Sequence, residues 1–166
     1  MSHPFVMFAS KGGGIENRSD DLQKQMTIAV LDWFLLEGGE PIYERGPDDE
    51  GEVHLDFCLF EVRMPEFEVF VGPPTEDGPW VVEVAVSVRP HIALAVDTVE
   101  ALLEPFAARL PARHQIDVFA TEDFGSDSAV WLATRLTPSE VDSVEIDKIL
   151  VELLTEARAM QAHLAN

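Results

Sequence analysis

Basic residues are scarce in this chain. Eleven Lys and Arg stand against 31 Asp and Glu, a formal net charge of −20 over 166 residues. A surface of that sign repels phosphate backbones, because nucleic-acid binding rests on Lys and Arg displacing counterions. Anionic membranes are disfavoured for the same reason. Cationic partners are drawn in instead, with faster association as the gain; solubility alone is the competing reason for such a charge. Cysteine is nearly absent. The single copy, Cys58, cannot form an intramolecular disulfide, so nothing points to an oxidising compartment. Its place in the run His54 to Phe60 marks a packed strand thiol rather than a nucleophile. No apolar run approaches the roughly 20 residues that span a bilayer. Residues 1–14 also lack the basic start and apolar stretch of a secretory signal. The expectation is a cytoplasmic protein that contacts neither membrane nor nucleic acid directly.

What is present is ordinary for a globular domain: 46% hydrophobic and 25% charged residues. The length fits one domain, read as 19–166, preceded by an arm over 1–18 that contains the hinge Lys11-Gly12-Gly13-Gly14. Ser19 offers a helix cap with Asp20 and Asp21 in the first turn. Leu22, Met26, Ala29, Trp33 and Leu36 recur at helical spacing, joined by Val30 and Phe34, until Gly38-Gly39 supplies a left-handed stop. Period-two alternation then marks strands. Val53, Leu55, Phe57 and Leu59 oppose Phe60; Phe67, Val69 and Val71 oppose Phe70; Trp80 to Val88 opposes Val81. A short earlier strand near Ile42-Tyr43 also fits. Arg89-Pro90 breaks the pattern. Asp97 and Glu100 then resemble a capping box ahead of Leu102, Leu103, Phe106 and Leu110, with Pro105 predicting a kink or a later start. Ile116, Val118 and Ala120 read as one strand. Ala129, Trp131 and Ala133, against Val130, Leu132 and Leu136, read as another. Thr137-Pro138-Ser139-Glu140 carries a helix start, and a stripe from Val141 and Val144 to Leu164 follows. The predicted architecture is α+β, in the order α-β-β-β-α-β-β-α, with an antiparallel sheet packed on one side by helices.

That order, carried by residues 20–164, resembles the YbjN-type family, which shares the fold of type III secretion chaperones. The resemblance rests on element order, acidity and size. It implies a convex antiparallel sheet, a homodimer, and binding of partner proteins without nucleotide hydrolysis. The Gly-rich arm and Pro105 depart from the family pattern.

No local pattern supports catalysis, a cofactor or a metal. Lys11-Gly12-Gly13-Gly14 lacks the order of a phosphate-binding loop, and Asp123-Phe124-Gly125 stands without the companions of a kinase triplet. The histidines, His3, His54, His91, His114 and His163, have no His or Cys at metal-ligand spacing. Asp48-Asp49-Glu50-Gly51-Glu52 lacks the spacing of an EF-hand loop. The candidate partner-binding residues are Phe60, Phe70, Val81 and Val130, each in register opposite to the main core-facing alternation and so expected on an uncovered sheet face. The strand Trp80 to Val88 could also pair edge to edge with a second copy or an extended peptide. Three readings follow. The first is a non-catalytic, chaperone-like or regulatory module that binds a protein, a basic or nucleic-acid-associated one among the options. The second is a small-molecule pocket between sheet and helices; the third is an acidic mimic of nucleic acid.

Overall fold

The structure, a computed structural model, describes residues 18–42, 60–74, 78–121, 126–140 and 143–165. The arm to residue 17, the alternation over 53–59 with Cys58, the acidic turn 48–52 and the loop residues 122–125 lie outside the described residues. The chain runs α1 (Arg18–Leu36), β1 (Glu40–Ile42), β2 (Phe60–Arg63), β3 (Glu68–Gly72), β4 (Val82–Ile92), α2 (Val96–Arg109), β5 (His114–Ala120), β6 (Ser128–Leu136) and α3 (Ser143–Leu164). The strands form one antiparallel sheet in the order β1-β2-β3-β4-β6-β5. The α+β class and the predicted element order hold, with the short β1 added at one edge.

Strand order is where the sequence reading and the structure differ. β4, the strand expected to pair edge to edge, is bonded on both sides, by β3 and by β6. Its eleven residues, with valine at every second position from Val82 to Val88, give it the length to pair along both sides. Among the described strands the edges are the three-residue β1 and the seven-residue β5. Nor does Pro90 end β4. The strand continues to Ile92 through two register shifts, between Ser87 and Arg89 and between Arg89 and Ile92. A residue with no N–H is tolerated where the ladder is already irregular.

The three described α-helices lie on one face and enclose the core between themselves and the sheet. Val62, Val69, Val71, Val82, Val84, Val86, Leu132 and Leu136 present the sheet side; Met26, Val30 and Phe34 of α1 and Leu150, Leu153 and Met160 of α3 close it, all essentially without solvent exposure. α2 contributes Val99, Leu103 and Phe106. Polar contacts fix the helices to one another. Trp33 Nε1 donates to Asp147 Oδ1 at 2.9 Å between α1 and α3, and Arg109 Nη2 donates to Glu156 Oε2 at 2.8 Å between α2 and α3.

The middle helix is not capped as the sequence suggests. Its N-cap is Ala95, in extended backbone with no side-chain cap bond, and Asp97 sits in the first turn, where a carboxylate favours the helix dipole. Pro105 lies inside the helix, which runs on to Arg109. The proline leaves the Ala101 carbonyl without its helical donor. On the next carbonyl, Leu102, His163 Nε2 of α3 donates a bond of 2.9 Å.

The stop after α1 is a Schellman turn: Gly38 is left-handed at φ 94°, Gly39 N–H donates to Phe34 O at 2.8 Å and Gly38 N–H to Leu35 O at 3.2 Å. Gly39 is needed for a second reason. A Cβ there would lie 2.6 Å from Val62 Cγ1, 2.8 Å from Phe34 O and 2.9 Å from Met64 Sδ. Overpacking of this kind costs about 1–3 kcal/mol. Gly39→Ala is therefore expected to lower the melting temperature by roughly 3–10 °C, given about 2–4 °C per kcal/mol for a chain of this size. Thermal denaturation followed by circular dichroism checks this, and an unchanged transition would show that Val62 and Met64 give way freely.

Candidate protein-binding face

Cross-strand register assigns every sheet residue to a side. Facing away from the helices, one row reads Asp117, Trp131, Ser87, Glu68, Arg63 from β5 to β2. The row beside it reads Gln115, Ala133, Ala85, Phe70, Glu61. Phe119 opposite Ala129 bounds the face on one side, and Arg135 opposite Glu83 on the other.

Three aromatic rings meet there. Phe70 and Trp131 have centroids 5.1 Å apart at 49°, and Phe119 and Trp131 lie 6.5 Å apart and nearly parallel at 23°. Phe70 and Trp131 are half-buried, whereas Phe119 is 46% exposed. Ala129 and Ala133 stand two residues either side of Trp131 in β6, so no bulky neighbour in that strand competes with its ring for the sheet surface.

A polar chain borders the rings. Arg135 Nη2 donates to Gln115 Oε1, and Gln115 Nε2 donates to Asp117 Oδ1 at 2.9 Å. Arg135 Nε also lies 3.8 Å from Glu83 Oε1. This chain fixes Asp117 directly opposite Trp131, and its donor to Asp117 is a neutral amide. Among the described strand residues five carboxylates, Glu40, Glu61, Glu68, Glu83 and Asp117, share the face with two arginines, Arg63 and Arg135. The face is an aromatic patch with an acidic margin.

Of the four residues expected on this face, the structure puts only Phe70 there. Phe60 pairs with Val71 and shares the side of fully buried Val62, so it is half-buried against the core. Val130, at 0% exposure, belongs to the core. Val81 precedes β4, donates its N–H to Leu136 O at 2.8 Å and packs half-buried against the core. The side assignment of β6 is reversed for a physical reason. Both of its registers are apolar, Ala129, Trp131 and Ala133 in one and Val130, Leu132 and Leu136 in the other, so periodicity cannot choose between them. The signal that could have found Trp131 is Arg135, a charge in the tryptophan's own register. Phe119 follows from Asp117 in the same way, and Phe60 from Glu61 and Arg63, which occupy the opposite side of β2.

The described histidines lie apart. His91 Nε2 contacts Asp127 Oδ2 at 2.9 Å, His163 bonds Leu102 O, and His114 is buried between β5 and α3. Among the described residues no group of three or more His, Cys, Asp and Glu is placed to hold a metal ion. A cavity of about 100 Å³ lies where α1 ends against the β2–β3 turn and α3, between Glu37, Met64, Phe67 and Leu154, with the Arg158–Glu66 ion pair of 2.7 Å at its rim. That is well below the roughly 300–1,000 Å³ of pockets for drug-sized ligands. No described helix is long and apolar enough to cross a membrane. No family model, curated protein or solved structure matches the chain.

Proposed function

We propose that this chain is a non-catalytic, cytoplasmic protein-binding module, chaperone-like or regulatory, that engages a basic partner protein on the sheet face opposite the helices. The observation that carries this reading is the patch Phe70–Trp131–Phe119, which the core does not use and which lies among Glu61, Glu68, Glu83 and Asp117. Contiguous aromatic surface of this kind marks interfaces, where Trp and other rings supply most of the binding energy. The charge of −20 accelerates encounter with a cationic surface and rejects acidic competitors. The homodimer implied by the YbjN-type resemblance is part of the reading, and sedimentation velocity checks it.

Affinity capture tests the function. Basic proteins retained by the immobilised wild type at low salt are expected to be lost from Trp131→Ser and Phe119→Ser variants. Equal retention by all three would remove the patch from the interaction. Retention abolished only by charge reversal of the surface acids would favour the nucleic-acid mimic instead.

A further inference from the structure

Among the described residues, α2 carries a guanidinium clamp within the chain. Arg109 lies over the Phe106 ring, its central carbon 4.5 Å from the centroid, while Glu156 Oε2 accepts from its Nη2 at 2.8 Å. An aromatic face and a carboxylate act on the same group, one from above and one at its edge. Both elements recur on the sheet face opposite the helices. Trp131 provides the aromatic face with the strongest quadrupole of any side chain. Asp117 is its direct cross-strand partner, which puts the two Cβ atoms about 4.5–5.5 Å apart. Glu68 stands in the same row on β3, beyond Ser87. The amide bond from Gln115, itself held by Arg135, orients Asp117 without neutralising it.

Resting on the protein-binding reading above, we propose that the face recognises its partner through an arginine side chain laid on Trp131 and hydrogen-bonded by Asp117. Arginine fits better than lysine because its planar guanidinium can stack on the indole and still present N–H groups in its own plane to a carboxylate. Phe119 and Phe70 on either side of Trp131 cover the aliphatic stem of that side chain and reduce its contact with water. The acidic margin, with five carboxylates to two arginines among the described strand residues, supplies the long-range attraction but does not by itself distinguish arginine from lysine. The Trp131–Asp117 pair makes that distinction.

The probe is a short synthetic peptide of alternating arginine and serine, titrated calorimetrically into the full chain at low and moderate salt. Its counterparts carry lysine or neutral citrulline in place of arginine. The arginine peptide is expected to bind more tightly than the lysine peptide, and the citrulline peptide to lose binding. Trp131→Leu, which keeps bulk but removes the π face, is expected to weaken the arginine peptide about 5- to 30-fold, as a cation–π contact of about 1–2 kcal/mol requires. Asp117→Asn is expected to weaken it a few-fold and to flatten the salt dependence. Citrulline binding as tightly as arginine, with both lost in Trp131→Leu, would overturn the arginine assignment and leave the binding face standing. Arginine binding untouched by Trp131→Leu would overturn both, leaving diffuse charge. The peptide comparison on the wild type requires no variant to fold, and a wild type that binds none of the peptides at low salt overturns the assignment outright.

Discussion

Val130→Asp is expected to remove cooperative folding at 25 °C or to lower the urea midpoint by at least about a third, whereas Phe119→Asp leaves the midpoint near that of the wild type. The two positions lie in neighbouring strands of one hairpin, and both substitutions add one carboxylate to an already acidic chain. They differ in the side of the sheet. Val130 is paired with Val118 in β5 and with Arg89 in β4, and no solvent reaches its side chain. A carboxylate there would be desolvated among Val88, Leu132 and the α3 stripe, at a cost beyond about 4–5 kcal/mol. Net stabilities of domains are only about 5–15 kcal/mol, so a loss of that size takes a third to all of it. Phe119 is 46% exposed, and a carboxylate at that position remains hydrated. Urea denaturation followed by circular dichroism reads both. If Val130→Asp unfolded at the wild-type midpoint, Val130 would face solvent and the side assignment of β6 would be reversed.

That side assignment shows where local pattern suffices to read this chain and where it does not. The helices are legible because each must bury a stripe against something larger than itself. Met26, Val30 and Phe34, or Leu150, Leu153, Ala157 and Met160, recur at a spacing that no strand would produce. The ends of the stripes mislead, since an apolar residue can keep the helical spacing and still face solvent. Leu36 is 86% exposed and Val144 71% exposed for that reason. Leu102 lies one position around the helix from buried Leu103 and faces outward.

Strand order and sidedness depend on partners distant in sequence. β6 lies between β4 and β5, and its two registers, Ala129, Trp131 and Ala133 against Val130, Leu132 and Leu136, are both apolar. Only the rare charge, Arg135 in β6, Asp117 in β5, or Glu61 and Arg63 in β2, marks the uncovered side. Read by those charges rather than by the size of the aromatic residues, the sequence places Trp131 and Phe119 outward and Phe60 and Val130 inward. Phe70 is legible from β3 alone, because Glu68 shares its register. The polar chain Glu83–Arg135–Gln115–Asp117 spans three strands and has no local signature.

Acidification from pH 7 towards 5 is expected to destabilise the wild type through His114, and His114→Gln is expected to remove most of that loss. His114 heads β5 on the core side, opposite Thr134, with its side chain fully shielded from solvent. Among the described residues neither ring nitrogen has a partner within hydrogen-bond distance; the nearest carboxylate oxygen, Glu152 Oε1, lies 3.6 Å from Nε2. Burial is the largest influence and disfavours the charged imidazolium. Glu152 and, more weakly, Glu156 of α3 oppose it, while Arg113 reinforces it, and the net effect holds the group below its ordinary 6.5. The unfolded chain therefore takes up the proton first as the pH falls. Stability present above about 6.5 is lost between that value and the lower pKa of the folded state, because the unfolded state binds more protons across the interval. A second effect runs the other way. Protonating carboxylates relieves the repulsion of a chain at −20, but it begins near their ordinary pKa of about 4, mostly below this window. The contrast between the two proteins isolates the histidine, since both carry the same carboxylates. Urea midpoints measured at half-unit intervals from pH 7.5 to 5 should fall for the wild type and stay nearly level for His114→Gln, and parallel curves would mean that His114 titrates alike in the folded and unfolded chains.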